Sequence, residues 1–154
     1  SIRTQNTDNG KRTFVQLDDN TAYYEALIFT DTYAQYAELL EKDNCVVIEG
    51  VLDTNFSGKT RLRVEKIHNM QSVRENFLRR VYFKLSHDRK ACFAQLKPYL
   101  IQSDNPKHQI IIDYRGVKAK TELKLGGQWQ VALGDESLKA MREILEKDQL
   151  RLVF

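Results

Sequence analysis

Residues able to do acid–base, nucleophilic or metal chemistry are few and scattered in this chain. His68, His87 and His108 share no metal-ligand spacing with one another or with Cys45 and Cys92, which are too far apart for a CxxC pair. No serine sits in a GxSxG elbow, and Gly126-Gly127 is a lone turn pair, not a phosphate-cradling loop. Asp18-Asp19 could hold a cation. Followed by Asn20, however, these side chains are turn formers first, because they bond their own backbone. The chain is expected to be non-catalytic, with no cofactor and no metal.

A different chemistry is present, made of cations and rings. In Thr13-Phe-Val-Gln-Leu17, Val15 and Leu17 share one face and Phe14 takes the other. With Val15 and Leu17 in a core, Phe14 is free to stack on a base. Arg61 and Arg63 alternate with core-type Leu62 and Val64, so both point outward. Arg3, Lys11 and Arg12 flank the first turn of the stretch NTDNGKRTFVQLDD. Rings that stack and cations that follow phosphates are what a single-stranded nucleic acid requires. Arg3, Lys11, Arg12, Phe14, Arg61 and Arg63 are therefore the candidate nucleic-acid contacts. Each has a plain alternative: a ring under a loop, a solvated arginine face, or a polar hairpin tip.

Charge limits how strong such binding can be. The net charge is +3. Residues 1–80 carry 11 Lys/Arg against 12 Asp/Glu, and residues 81–154 carry 13 against 9. Neither half has the dominant basic surface of a duplex binder, so contacts are expected to be local and salt-sensitive. No apolar run approaches the roughly 20 residues that cross a bilayer, and the polar start lacks a signal peptide. The chain starts at Ser1 without a Met, as an excised fragment would. Two isolated cysteines, expected buried and reduced, fit a cytoplasmic protein.

The elements that position these residues fall into two sets. Strands are expected over Thr13–Leu17, Ala22–Phe29, Asn44–Val51 and Arg61–Ile67, with a bulge or bend at Gly50. Between the second and third lies a helix capped by Asp31, with Tyr33, Tyr36, Ala37 and Leu40 as its apolar stripe. Asn55-Phe-Ser-Gly58 forms a turn. A five-stranded barrel with a helix between its third and fourth strands is the oligonucleotide-binding (OB) fold. A linking helix carrying Met70, Val73 and Phe77 follows.

The second set reads strand, helix, three strands, helix, strand, an α+β domain of βαβββαβ order. Leu138, Met141 and Leu145 face inward on its last helix. Lys118, Lys120 and Lys124 form one strand face, read as solvated or as protection of a sheet edge. In the closing strand Leu150, Leu152 and Phe154 share a face that either packs on its own sheet or meets a partner. The expected organisation is an OB domain over 1–67, a linker helix over 68–80 and an α+β domain over 81–154.

FVQLDDNTAYYEALIFTDTYAQYAELLEKDNCVVIEG, followed by SGKTRLRVEKI, resembles the OB domain of the bacterial replicative DNA polymerase III alpha subunits. ENFLRRVYFKL and the chain beyond it resemble the C-terminal, tau-binding domain of the same family. The resemblance covers essentially the whole chain. It implies a module of DNA replication that touches single-stranded DNA weakly and binds the tau subunit of the clamp loader within the replisome. The other polymerase core subunits would be reached through the rest of the parent protein. That parent would be a DNA-directed DNA polymerase, a nucleotidyltransferase whose catalytic carboxylates lie elsewhere. Leu150, Leu152 and Phe154 are the candidate tau contacts. Two departures stand out. Asp8-Asn9 occupies a place where the family often carries basic residues, and Ser1 falls inside the expected first strand, making that strand incomplete. Anticodon-binding domains of aminoacyl-tRNA synthetases share the FVxLxD strand, so an RNA-binding module of a translation enzyme is the alternative.

Overall fold

The computed structural model describes residues 1–7, 10–54, 60–145 and 149–154, with Arg89 and Lys90 described by their backbone alone. It contains two compact units, Ser1–Met70 and Gln71–Phe154. The turn residues Asp8 and Asn9, and the turn at 55–58, lie outside the described residues.

The first unit runs β1 (Ile2–Thr7), β2 (Gly10–Asp18), β3 (Tyr23–Phe29), α1 (Thr30–Tyr36), β4 (Val46–Thr54) and β5 (Thr60–Asn69). Its sheet has the order β1-β2-β3-β5-β4, antiparallel throughout except for the parallel β3–β5 pair. The order and the helix between β3 and β4 are those of the OB fold. Period-two alternation puts Val15, Ala26, Ile28 and Val64 inside with Ile67, while α1 and the turn after it add Tyr33, Tyr36, Leu39 and Leu40. Ala37 is exposed, contrary to the expected stripe. The helix tightens to a 3-10 turn over Ala37–Leu39, and the change of pitch brings Leu39 to the core in its place. Asp31 does not cap the helix. Phe29 occupies the N-cap position without a side-chain bond, and Asp31 lies in the first turn, where its charge suits the helix dipole.

Two backbone features shape the sheet. The β4–β5 register shifts between Glu49 and Gly50, and a Cβ on Gly50 would lie 2.1 Å from the carbonyl oxygen of Arg63. Only glycine lets the strands approach so closely there. The β2–β3 turn is built by its acids. Asp18 Oδ1 accepts from Asn20 N, Asp19 Oδ1 accepts from Thr21 N, Thr21 Oγ1 and Ala22 N, and Asn20 takes φ 67. The Thr21 hydroxyl, then the Ala22 and Thr21 amides, hold the Asp19 carboxyl at a pKa of about 2.

The second unit consists of α2 (Met70–Phe77, from Gln71 on), β6 (Arg80–Ser86), α3 (Lys90–Leu96), β7 (Leu100–Gln102), β8 (Gln109–Arg115), β9 (Lys120–Lys124), β10 (Trp129–Val131), α4 (Asp135–Ile144) and β11 (Leu150–Val153). The main sheet has the order β11-β6-β8-β9, with β6 and β8 parallel; β7 and β10 form a separate antiparallel pair. The expected order thus gains one strand, β7. Its three residues are too short to show alternation, and they follow directly on the 3-10 turn at Pro98. Val81, Phe83, Leu85, Ile110 and Ile112 meet Leu96 of α3 and Leu138, Met141 and Leu145 at α4 in one core. Arg74 of α2 is buried, donating from Nη1 to Leu133 O at 2.7 Å and from Nη2 to Asp135 at the start of α4. Cys92 is half-buried but Cys45, in the irregular segment just before β4, is exposed, against expectation. Among the described residues no helix is long and apolar enough to cross a membrane.

Candidate nucleic-acid interface

Strand pairing assembles the site on the outer face of the first sheet. Directly opposed residues share a face, so Arg3, Phe14, Leu27 and Arg63 form one row across β1, β2, β3 and β5. Gln16 and Glu25 begin the next row, which Arg61 and Asp53 complete. Phe14 is half-buried, not freely exposed, because the Arg61 guanidinium lies 5.3 Å from its ring centroid.

Glu25 ties the arginines together. Arg61 Nε donates to Glu25 Oε1 at 2.7 Å, and Arg3 Nη2 donates to Oε2 at 3.1 Å. Arg63 stands 3.9 Å from Glu65. Beside this cluster Ser1, Arg3, Phe14, Gln16, Tyr23, Tyr24 and Glu25 line a cavity of about 290 Å³. A flat ring under a movable guanidinium, next to a cavity rimmed by tyrosines, can exchange cation stacking for base stacking. A phosphate is the natural competitor for the two arginines Glu25 now holds.

Lys11 and Arg12 are not one grip. Both lie within β2, which starts at Gly10, and consecutive strand residues point to opposite faces. Arg12 joins the outer face, 6.0 Å from the Phe29 ring; Lys11 turns the other way, 5.7 Å from the Tyr33 ring of α1. The Lys11 backbone is locked by Thr30, whose Oγ1 accepts from Lys11 N and donates to Lys11 O. The structure thus brings Arg3, Arg12, Phe14, Arg61 and Arg63 to one face and leaves Lys11 off it.

The candidate tau contacts divide as well. β11 pairs with β6, Leu150 opposite Phe83 and Leu152 opposite Val81, and both leucines pack on the second unit's core. Packing on the chain's own sheet is therefore the outcome for these two, and Phe154 alone of the three is largely exposed, at 54%. The histidines are engaged locally. His68 Nε2 lies 2.7 Å from Glu49 Oε1, His87 Nδ1 lies 3.1 Å from the Tyr114 hydroxyl, and buried His108 accepts from Val131 N. Among the described residues no three His, Cys, Asp or Glu side chains gather closely enough to hold a metal ion.

Glu25 and Tyr23 were missed from sequence. The signal was there: with Ala26 and Ile28 inside, alternation puts Tyr23, Glu25 and Leu27 on the face of Phe14.

Comparison with known proteins agrees with the fold of the first unit. Residues 1–70 match the family described as an OB-fold nucleic acid binding domain. The DNA polymerase III subunit alpha of Pseudomonas fluorescens is 30% identical over 152 residues, covering 97% of this chain and 13% of that protein. The subunit of the same name from Escherichia coli K12 is 28% identical over 160 residues, covering 100% of this chain and 14% of its own length. That of Vibrio cholerae is 26% identical over 158 residues, with the same shares. The chain therefore spans only about one seventh of the relatives it matches. Along its whole length it is similar to a segment of the bacterial DNA polymerase III alpha subunits, and its residues 1–70, with the OB fold, are similar to the OB-fold nucleic acid binding domains.

Proposed function

We propose that the chain is a non-catalytic segment of a DNA polymerase III alpha subunit, acting in DNA replication in the cytoplasm. Its OB unit contacts single-stranded DNA through Arg3, Arg12, Phe14, Arg61 and Arg63, and its second unit docks the tau subunit of the clamp loader. The observation that carries the first part is the Arg61–Phe14 stack set among arginines on the outer face of an OB sheet. For the tau contact the support is similarity extending through the second unit, together with exposed Phe154 beyond β11. DNA synthesis itself would belong to the remainder of the parent protein.

Two titrations of the full chain test this. Fluorescence anisotropy with a labelled oligo(dT) should show salt-sensitive binding that Phe14→Ala and Arg61→Ala each weaken, by about 1–3 kcal/mol for the stacking ring. Calorimetry with the C-terminal part of tau should show binding that Phe154→Ala reduces. An absence of either signal at micromolar concentrations removes the corresponding half of the proposal.

The family match favours a second reading, since its model takes its name from tRNA anticodon recognition. An RNA module would prefer a structured tRNA loop to an unstructured DNA strand at fixed salt. The polymerase reading expects the opposite order.

A further inference from the structure

Helices α3 and α4 pack on one face of the main sheet of the second unit. Val81, Phe83, Leu85, Ile110 and Ile112 point into the core with α3 and α4. Alternation then sends every charged side chain of the four strands to the opposite face. Arg80 and Lys84 come from β6, Arg115 from β8, Lys120 and Lys124 from β9, and Arg151 from β11. Against these six cations stand two carboxylates, Asp113 and its cross-strand neighbour Glu122. The other seven acids of residues 81–154 lie outside these strands. All six cations but half-buried Lys84 are exposed.

The centre of this face has its own order. Tyr82 lies opposite Arg151 on one side and Ile111 on the other, and the Arg151 guanidinium is 4.4 Å from the Tyr82 ring centroid. Asp113 is buried; its Oδ1 lacks a hydrogen-bond partner and has the Lys120 ammonium 3.9 Å away. Ile111 beside Tyr82 is buried too, so the centre of this face is packed while its rim carries exposed cations. A ring capped by a movable guanidinium and surrounded by cations is the arrangement that holds a backbone by its phosphates and a base by its flat side.

The geometry points to this face as a second binding surface for single-stranded nucleic acid, separate from the OB face and assigned to it by charge complementarity. Lys84, Lys120 and Lys124 follow phosphates, and Tyr82 receives one base when Arg151 swings onto the backbone. A duplex fits less well, because its bases offer no free ring face. An acidic peptide would satisfy the cations but leave the Tyr82 ring without a partner.

The test uses the full chain and an oligo(dT) carrying 5-iododeoxyuridine, cross-linked by ultraviolet light and mapped by mass spectrometry. Adducts are expected on Tyr82 as well as within residues 1–70. Lys84→Glu with Arg151→Glu should abolish the Tyr82 adduct and leave the adducts in residues 1–70. Lys120→Glu with Lys124→Glu, on the exposed edge strand, provides a second variant should the first not fold. Its Tyr82 adduct should fall about tenfold and its salt dependence should be shallower, as expected for two lost phosphate contacts. Asp113→Asn should raise the adduct yield. Adducts confined to residues 1–70 would overturn the assignment. So would an unchanged Tyr82 adduct in a folded charge-reversed variant, or displacement from Tyr82 by poly-glutamate as readily as by unlabelled oligo(dT) at equal charge.

Discussion

The outer faces of the two sheets use the same local device in opposite electrostatic settings. On the OB face Arg61 lies over Phe14; on the second face Arg151 lies over Tyr82. In the first, Arg3, Arg12, Arg61 and Arg63 face Glu25 and Asp53, with Glu65 close to Arg63, so most of the positive charge is already spoken for. In the second, six cations face two carboxylates. A ligand on the OB face must displace Glu25, which favours shape and stacking over net attraction. A ligand on the second face meets an excess of cations over carboxylates among the described strand residues, which favours long-range attraction and a steep response to salt. Two arginine-capped rings are therefore not equivalent sites: the carboxylates beside them decide what each can bind.

The largest expected effect separates the two faces by breaking one of them. Gly50→Ala forces a Cβ against the Arg63 carbonyl, with backbone on both sides unable to yield. Destabilisation of the OB unit should reach the upper end of the roughly 1–3 kcal/mol seen for overpacking, or exceed it. Chemical denaturation of the full chain should then show an early transition, with the single tryptophan, Trp129, still reporting a native second unit. A single shifted transition in both units would show that they unfold together.

Glu25→Gln is the next largest. It removes the charge that holds Arg3 and Arg61 but keeps a side chain of the same shape. Oligo(dT) should bind about three- to tenfold tighter, with a steeper salt dependence, since two arginines become available to phosphates. Weaker binding would mean that Glu25 serves the site by positioning Arg61 over Phe14.

Much of this was legible in the chain, and the reasons are local. Alternation in β2 put Val15 inside and Phe14 outside, Gly50 marked its bulge, and helical spacing placed Leu138, Met141 and Leu145 in the core. What was not legible depends on pairing between distant segments. Glu25 reaches Arg61 only because β3 and β5 run parallel side by side, which neither strand's sequence announces. The cationic sheet face is likewise invisible until β11, β6, β8 and β9 are neighbours; Lys120 and Lys124 alone read as an edge strand, which β9 also is. Leu150 and Leu152 alternate correctly for a core or for a partner, and the register with Phe83 and Val81 decides it.

Acid should separate the units by a smaller margin. Burial lowers the His108 pKa below its ordinary value near 6.5, so the unfolded chain binds a proton more readily than the folded one. The second unit should accordingly lose stability as pH falls through about 6.5, until the folded state's own pKa is passed. In the OB unit the shifted group is Asp19, depressed to about 2, whose contribution is complete above the ordinary carboxylate range and is lost only as pH falls towards 2. Thermal unfolding followed by Trp129 fluorescence at pH 7.5 and pH 5.5 should show a lower midpoint at the acid value. His108→Gln, which keeps an acceptor for Val131 N, should abolish the difference. A pH response retained in that variant would place the titrating group elsewhere.

The smallest expected effect is also the most discriminating for the OB face. Lys11 and Arg12 are adjacent in sequence but lie on opposite sides of β2, one over Tyr33 and the other over Phe29. Arg12→Ala should weaken oligo(dT) binding a few-fold and reduce the salt slope by about 0.7, one phosphate contact to a single strand. Lys11→Ala should leave both unchanged. The double substitution should then equal Arg12→Ala alone, because only one of the two cations shares a face with Phe14 and Arg61. If Lys11→Ala reduces the slope as much as Arg12→Ala, the bound strand must cross the end of the barrel towards α1. The OB face would then extend past Glu25 onto a cation that no carboxylate among the described residues holds, and the contrast between the two sheets would narrow to the row that Glu25 controls.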